Sequence, residues 1–259
     1  MELSDRIALV TGSGQGIGRA CALRLAEAGA HVVSVDINGD GAAATAQAVE
    51  ALGRRALAIT ADLGDVSAID RMVQDAMAAF QRLDVIVNNA GVTRRADIME
   101  LTEADWDRMQ RVNAKGVFFC MQRAAVEMIK QKSGRIINIA SIAGKGFHGT
   151  SNAIYAGTKG AVLAMTKTAA QQLGPHNINV NSICPGITRT DIYKGIIEVD
   201  AQKTGQSVEE VEREAVSTVP IRRANEPEDI GDLAVFLASP RSRNITGQSF
   251  NIDGGLVPD

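Results

Sequence analysis

The fold is decided by the stretch Thr11-Gly12-Ser13-Gly14-Gln15-Gly16-Ile17-Gly18, which joins a short apolar run to an Ala-rich segment. The run before it, Ile7–Val10, is typical of a buried strand, and the segment after it, Ile17–Ala28, has helical periodicity. Glycines between a strand and a helix permit a tight turn and let backbone N–H groups approach a pyrophosphate at the positive helix end. The spacing differs from the common Gly-x-Gly-x-x-Gly pattern. The stretch nevertheless predicts a dinucleotide-binding turn formed by Gly12, Gln15, Gly16, Ile17 and Gly18.

The rest of the chain repeats this alternation of short apolar runs and longer helical segments. Strands are predicted at Ile7–Val10, Val32–Val35, Val85–Val87, Ile136–Ile139, Ile178–Ile183 and Ser249–Ile252. Helices are predicted at Ile17–Ala28, Gly41–Leu52, Ser67–Phe80, Glu103–Lys130, Ala153–Leu173 and Pro227–Ala238. Several strand candidates are apolar on both faces, as parallel strands covered by helices are. The pattern predicts an α/β Rossmann fold, a single domain over residues 1–259 with a doubly wound parallel sheet of about seven strands.

The exception to this alternation is the charged segment Arg189–Val219, which lies between a strand and the last helix. An insertion of this length beyond the carboxyl end of a strand is often a lid over the binding crevice. A pair of solvated surface helices is the alternative interpretation. The segment is therefore treated as a candidate substrate lid within the single domain.

Composition and charge exclude several classes of function. Lys and Arg number 27 against 30 Asp and Glu, a net charge of −3, and the basic residues are scattered, which argues against a nucleic-acid binder. The apolar runs are shorter than the roughly 20 residues of a membrane helix. Cys21, Cys120 and Cys184 match neither metal-ligand spacing nor a secreted disulfide framework. These features predict a cytoplasmic protein that binds a small molecule and has no metal site.

Asp36 ends the second predicted strand, at the distance from the glycine turn that is expected of a ribose-binding acid. A carboxylate there accepts hydrogen bonds from the adenosine 2′-hydroxyl and repels a 2′-phosphate. Its neighbours Ser13, Ile37 and Asn38 offer no positive charge to hold such a phosphate. Asp36 therefore favours NAD over NADP, with a turn or capping role before Asn38-Gly39 as the alternative.

Tyr155 and Lys159 lie one turn apart on one face of a predicted helix. An ammonium about 4 Å from a phenolate stabilises it by about 4 kcal/mol at an effective dielectric near 20. That attraction is enough to lower a tyrosine pKa of about 10 toward neutrality. The pair thus indicates a general acid–base group, although two residues with this spacing also form ordinary surface pairs.

Asn113 and Ser141 are polar residues in unusual places. Asn113 interrupts an otherwise apolar helical stripe, and a buried amide there needs partners. Ser141 follows the strand Ile136–Ile139 near its carboxyl end, where open α/β sheets bind ligands. Ordinary alternatives are a structural hydrogen bond for Asn113 and a helix cap for Ser141. The stripe consists of Trp106, Met109, Asn113, Val117, Cys120 and Ala124.

Together these residues resemble the short-chain dehydrogenase/reductase family, over essentially the whole chain. The resemblance implies an NAD-dependent oxidoreductase that acts on CH–OH groups, an alcohol dehydrogenase in the broad sense. It also implies a homotetramer built through the helices that carry Asn113 and Tyr155. The pieces that match, in the family's order, are the Thr11–Gly18 turn, Asp62, Asn88-Asn89-Ala90-Gly91, Asn113, Ser141, Tyr155, Lys159, Pro185-Gly186 and Thr190.

The resemblance also implies a role for each residue of a catalytic tetrad. Tyr155 exchanges a proton with the substrate oxygen, and Ser141 hydrogen-bonds and orients that oxygen. Lys159 lowers the pKa of the tyrosine and binds the nicotinamide ribose. Asn113 holds a water that links Lys159 to solvent.

Further cofactor contacts are implied in the same way. Asp62 holds the adenine amine, and Asn89 lies along the cofactor. Thr188, through its backbone, and Thr190, through its hydroxyl, contact the carboxamide. Thr188 departs from the aliphatic residue that the family often has at this place.

Small residues on the Tyr155 helix would suit packing against another copy or against the protein's own sheet; they are Ala156, Gly157, Gly160, Ala161 and Ala164.

The substrate is less sharply indicated. His148 and Asn152, with Ser141 and Tyr155, are candidate substrate contacts, and a pocket with several hydrogen-bonding groups suits a polyol or sugar derivative. Basic residues at the mouth, Arg94, Arg95 and Lys145, could attract an anionic substrate. A second hypothesis is a 3-oxoacyl-thioester reductase, whose expected NADPH preference Asp36 argues against. A third is a non-catalytic, NAD-sensing binding protein on the same fold.

Overall fold

The structure, a computed structural model, describes residues 1–147 and 152–258, and within them one seven-stranded parallel sheet forms the centre. The strands are β1 (Ile7–Thr11), β2 (His31–Asp36), β3 (Ala56–Thr60), β4 (Val85–Asn88), β5 (Gly134–Ile139), β6 (Ile178–Pro185) and β7 (Ser249–Ile252). Their order in the sheet is β3-β2-β1-β4-β5-β6-β7. The doubly wound α/β architecture predicted from the sequence is confirmed.

Helices connect the strands and cover both faces of the sheet. They are α1 (Gly16–Glu27), α2 (Gly39–Ala51), α3 (Val66–Phe80), α4 (Glu103–Met109), α5 (Val117–Gln131), α6 (Ala153–Leu173), α7 (Asp191–Thr204), α8 (Val208–Ala215) and α9 (Pro227–Ala238). Helices α6 and α9 have the predicted bounds. The segment Arg189–Val219 contains the helical pair α7 and α8, in agreement with its helix-compatible sequence.

Alternate residues of the central strands enter two apolar layers. On one face, Leu9 of β1 packs in a cluster with Ile69 of α3 and Met121 of α5. On the other face, Val10 of β1 packs in a cluster with Leu25 of α1. Because successive side chains of a strand point to opposite faces, burial on both faces makes β1 apolar along nearly its whole length.

The chain order creates a crevice between β1 and β4. After β1, the strands β2 and β3 are added on one side of it, and β4 to β7 are added on the other side. The chain therefore continues from the neighbouring strands β1 and β4 in opposite directions along the sheet. Ligands of open α/β sheets bind at the carboxyl ends of strands at such a switch point. The glycine turn after β1 and Asn89 after β4 therefore meet there.

Strand β3 was not among the runs identified in the sequence. It lies at the edge of the sheet, its residues are mostly half-buried, and it contains two alanines and a threonine. Its pairing with β2, from Val32–Ala56 to Asp36–Thr60, supplies the stabilisation that its apolar content does not. An edge strand with so little buried aliphatic surface gives a weak signal in sequence.

The long helix predicted over Glu103–Lys130 is not regular. It is interrupted by a π turn over Gln110–Gly116, which separates α4 from α5. The predicted apolar stripe was wrong at its first residue, because Trp106 is 53% exposed. The stripe is buried from Met109 onward, since α4 extends beyond the edge of the core and only its last turn reaches it.

The cysteines are buried thiols. Burial raises the pKa of Cys21 and that of Cys120 to about 12. Neither residue, nor Cys184, is joined in a disulfide. Over the described part of the chain, the helices are too short or too polar to span a bilayer.

Candidate active site

The glycine turn after β1 forms a cradle that packs closely against the loop after β4. Gly12 has φ of +62°, and a Cβ there would lie 2.8 Å from the Ala90 Cα. A Cβ on Gly18 would collide with the carbonyl oxygen of Gly12. The cap residue of α1, Gln15, makes no side-chain capping bond, and the first turn has no acidic residue. The free N–H groups at the start of α1 therefore suit an external anion such as a pyrophosphate.

Asn89 fixes the shape of this cradle. Its Nδ2 donates to the carbonyl oxygens of Thr11 and Gly12, both at 3.0 Å, and its backbone N–H donates to the Thr11 Oγ1 at 3.0 Å. The amide is thus engaged with the turn itself. The structure gives Asn89 a positioning role, and the predicted contact with a cofactor stays a prediction.

Asp36 lies at the rim of the cradle. Its Oδ2 accepts from the Gly14 N–H at 2.8 Å, and its Oδ1 accepts from the Asn38 N–H at 2.9 Å. Ser13, which could have offered a hydroxyl, is buried and pairs with Ser34 at 2.9 Å. A half-buried carboxylate beside the turn is the arrangement that accepts the hydroxyls of an adenosine ribose.

Asp62 occupies the outer end of the crevice. Its Oδ1 accepts from the Gly64 N–H at 2.8 Å, and its Oδ2 pairs with Arg111 Nη1 at 3.0 Å. The guanidinium lies against Gly64, where a Cβ would stand 2.6 Å from the Arg111 Cζ. No pattern in the sequence indicated Arg111, because its partner is distant in the chain.

Thr188 and Thr190 lie after β6, across the crevice from the glycine turn. The Thr190 Oγ1 accepts from the Tyr193 N–H at 3.3 Å and begins α7. Its Cγ2 would lie 3.3 Å from a Cβ on Gly16. Thr188 donates from its Oγ1 to the Gly186 carbonyl at 3.2 Å. The glycine turn and the start of α7 therefore face each other.

The structure brings Ser141, Tyr155 and Lys159 together at the carboxyl end of β5. Ser141 caps the short 3-10 turn Ile142–Lys145, with its Oγ accepting from the Ala143 N–H at 3.1 Å. It also forms a hydrogen bond with the Tyr155 hydroxyl, which opposes the effect of burial on that group. Lys159 is buried, and its Nζ donates to the Ile139 carbonyl at 2.7 Å.

The expected lowering of the Tyr155 pKa is not found in this arrangement. Burial raises the pKa of Tyr155, and the hydrogen bond with Ser141 offsets this only in part. The Lys159 Nζ is 5.6 Å from the centre of the tyrosine ring and is turned toward Ile139. Because the ammonium is engaged by a backbone carbonyl, it does not offset the effect of burial on the phenol in this structure.

Asn113 lies in the π turn and joins it to the loop after β4. Its Oδ1 accepts from the Val92 N–H and its Nδ2 donates to the Val92 carbonyl, both at 2.8 Å. Nδ2 also donates to the Thr158 Oγ1 at 3.2 Å. A Cβ on Gly91 would lie 3.4 Å from the Asn113 Oδ1 and 3.7 Å from the Lys159 Nζ. Asn113 and Lys159 thus border the same space, and π turns recur at such functional sites.

Two further candidate residues lie at the start of α6. Asn152 is the helix cap, with its Oδ1 accepting from the Tyr155 N–H at 2.9 Å and its Nδ2 donating to the Arg94 carbonyl at 2.5 Å. Both ends of this amide are engaged with backbone, so Asn152 sets the position of Tyr155. His148 lies outside the described residues.

Lys159 gives a pH prediction that needs no substrate. Burial lowers the pKa of Lys159 from 10.5 to about 8. Between these values the unfolded chain holds the proton and the folded chain releases it, so the free energy of unfolding rises with pH. From pH 8 to 10.5 the native protein should gain up to about 3 kcal/mol relative to Lys159→Met. Urea unfolding of both chains at several pH values measures this gain, and parallel pH curves would contradict it.

The chain is similar to known proteins over most of its length. The family model described as enoyl-(acyl carrier protein) reductase matches residues 12–257. The (2S)-((R)-hydroxy(phenyl)methyl)succinyl-CoA dehydrogenase subunit BbsD of Thauera aromatica is 39% identical, with 98% of each chain covered. The 3-oxoacyl-(acyl-carrier-protein) reductase FabG of Staphylococcus aureus is 37% identical, covering 96% of this chain and 97% of that one.

The chain is also similar to a solved structure. An NAD+-bound xylitol dehydrogenase superposes with a TM-score of 0.91 and 32% identity, covering 98% of this chain and 100% of the other. The similarity in sequence and in structure thus extends over nearly all of the chain.

Proposed function

The chain belongs to the short-chain dehydrogenase/reductase family, and we propose that it interconverts a secondary alcohol and a ketone with NAD(H). The observation that carries this proposal is the meeting of Ser141, Tyr155 and Lys159 beside a glycine cradle rimmed by Asp36. Bound in that cradle, NAD supplies the nicotinamide carbon that accepts or returns the hydride.

The chain's own residues handle the proton and the substrate oxygen. The Ser141 hydroxyl donates a hydrogen bond to that oxygen and holds it near the Tyr155 hydroxyl. In oxidation the Tyr155 oxygen takes the alcohol proton, and in reduction it gives a proton to the carbonyl oxygen. The Asn152 cap supports this step because it fixes the first turn of α6.

Lys159 and Asn113 support the tyrosine. The Lys159 Nζ, which lies against the Ile139 carbonyl, must turn toward the phenol to favour its ionised form and to reach the nicotinamide ribose. Catalytic contacts are commonly long in a protein without its ligands and shorten when these bind. Asn113 borders the space above Gly91 with Lys159, where a water would pass protons to solvent.

The cofactor preference rests on Asp36. Its carboxylate would accept the ribose hydroxyls of NAD and would repel the 2′-phosphate of NADP. The exposed neighbour Ile37 brings no compensating positive charge. Asp62, Asn89, Thr188 and Thr190 complete the proposed cofactor site.

The two candidate substrate classes are polyols or sugar derivatives and acyl thioesters. The polyol or sugar derivative expected from the sequence is supported by the likeness to the xylitol dehydrogenase. Against it, both ends of the Asn152 amide are bonded to backbone groups rather than left for a substrate hydroxyl. An acyl thioester is supported by the names of BbsD and FabG and by exposed basic side chains near the lid, Arg95 among them. With an NAD-type Asp36, we favour oxidation of a hydroxyacyl thioester to an oxoacyl thioester.

A substrate panel tests these alternatives. Xylitol and other polyols, simple secondary alcohols and 3-hydroxyacyl-CoA thioesters are each offered with NAD, and NADH absorbance is followed. We expect turnover of a thioester by the native protein and none by Tyr155→Phe. Turnover of a polyol alone would instead establish the polyol class. NAD binding without turnover across the panel would favour the sensor hypothesis.

A homotetramer is part of the proposal. On α6, Gly157 and Ala164 are exposed and Ala156, Gly160 and Ala161 are half-buried, whereas Thr158, Val162 and Thr166 face the protein's own core. Trp106, Phe118 and Val126 are also exposed on α4 and α5. Small and apolar residues on these outward faces suit packing against another copy.

The buried thiols support the proposed cytoplasmic, reducing environment.

A further inference from the structure

A groove lies between the loop after β4 and the first lid helix. Its volume is about 260 Å³, and one wall is Arg95 of the loop. The opposite wall is a single face of α7, formed by Gly195, Ile196, Val199, Asp200 and Lys203. The groove therefore has an apolar floor and charged groups at its rim.

The loop that carries Arg95 begins in the candidate active site. Val92 is bonded through both backbone groups to Asn113, and the Arg94 carbonyl accepts from Asn152. The Arg94 guanidinium is held by Asp105, with bonds of 3.0 and 2.8 Å, and by the Glu100 carbonyl. The loop is thus held at Val92 and at Arg94, and Arg94 links the cap of the Tyr155 helix to the groove residue Arg95.

Arg95 is presented very differently from Arg94. Its side chain is 74% exposed, and its ion pair with Asp200 is a single contact of 3.3 Å between exposed groups. Exposed pairs of this kind contribute about 0–1 kcal/mol. A phosphate, which accepts two parallel bonds from a guanidinium, would displace such a contact readily. Lys203 adds a second cation, so the groove has an excess of one positive charge.

We propose that this groove binds the phosphate-bearing pantetheine arm of an acyl thioester whose reacting carbon lies at Ser141 and Tyr155. Gly195, Ile196 and Val199 would contact the apolar part of the arm, while Arg95 and Lys203 would hold the phosphate. The inference rests on the proposed function, in its thioester form. A free polyol has no arm to reach the groove and no phosphate for these cations.

Two thioesters with the same reacting group separate this site from the chemistry. Acetoacetyl-CoA carries the whole arm and its phosphates, whereas the N-acetylcysteamine thioester of acetoacetate keeps only the terminal cysteamine of the arm and has no phosphate. In reduction by NADH, we expect Arg95→Gln and Lys203→Gln each to lower kcat/KM for acetoacetyl-CoA about tenfold, the loss of one charged hydrogen bond. For the truncated thioester the same variants should stay within about twofold of the native value. The matched control is Lys194→Gln, which removes an exposed cation of α7 outside the groove.

Calorimetry with free CoA gives a readout independent of turnover, and Arg95→Gln should weaken binding about tenfold. Equal losses on both thioesters, or no loss on either, would overturn the groove proposal while the oxidoreductase assignment stands. Turnover of polyols alone would overturn it as well. Failure of every alcohol and ketone would instead remove the proposed function. Acetoacetyl-4′-phosphopantetheine distinguishes the phosphate sources, since a retained Arg95 effect indicates the arm and a lost effect the nucleotide.

Discussion

Replacing Tyr155 with phenylalanine is expected to lower kcat about 10³-fold, the range for loss of a general acid or base. The phenyl ring keeps the place of the tyrosine ring at the start of α6, and the Asn152 cap bonds to backbone and is unaffected. Because only the hydroxyl is lost, the affinity for NAD should change less than twofold. Steady-state kinetics on the substrate found in the panel and a fluorescence titration with NADH measure the two quantities.

The chain's second tyrosine provides the matched control. Tyr193 lies on α7, and Tyr193→Phe removes a hydroxyl that has no hydrogen-bond partner within the described residues. We expect this variant to retain turnover within a few-fold of the native chain. Near-native turnover in Tyr155→Phe would eliminate Tyr155 as the proton donor, and Ser141 would then be the next group to test.

Replacing Asp36 is expected to shift the preference between the two nicotinamide cofactors about 100-fold toward NADP. The change removes acceptors for the ribose hydroxyls, each charged hydrogen bond being worth about 1.5–3 kcal/mol, and it also removes the repulsion of a 2′-phosphate. The measurement is the ratio of kcat/KM for NAD to kcat/KM for NADP in Asp36→Ala.

Two variants keep this result interpretable. Asp36→Asn preserves a hydrogen-bond acceptor for the Gly14 N–H, whose bond to Asp36 shapes the turn, but removes the charge. Asp40→Ala removes a nearby carboxylate from the first turn of α2 and should leave the ratio unchanged. If the ratio in Asp36→Ala equals the native ratio, the ribose does not lie against this carboxylate.

Most of the strands could be predicted from the sequence because the central strands are buried on both faces. Ile7–Val10 is a continuous aliphatic run for this reason, and the structure extends it by one residue. Ile178–Ile183 has aliphatic residues at three positions beside two asparagines and a serine, and the structure extends it by two residues. The edge strand β3 lacks such a run, and its existence depends on the pairing with β2. Local composition therefore indicated every strand except the one that tertiary pairing creates.

Side-chain surroundings were harder to predict than side-chain position. The order and spacing of Asn113, Ser141, Tyr155 and Lys159 indicated that they belong to one site. The sequence could not reveal that burial would raise the pKa of Tyr155, or that the Lys159 ammonium would be drawn to the Ile139 carbonyl. Both effects arise from groups far apart in the chain, so no local pattern contains them.

What the sequence alone determined is the strand–turn–helix unit at Thr11–Gly18 and the position of Asp36, since both depend on local backbone freedom and local charge. The tertiary structure decided which polar groups remain available to a ligand. It joined Asn152 to Arg94 and Arg111 to Asp62, and it placed Arg95 opposite Lys203 across a groove. The physical reason is that hydrogen bonding and desolvation depend on neighbours in space, which only the folded chain brings together.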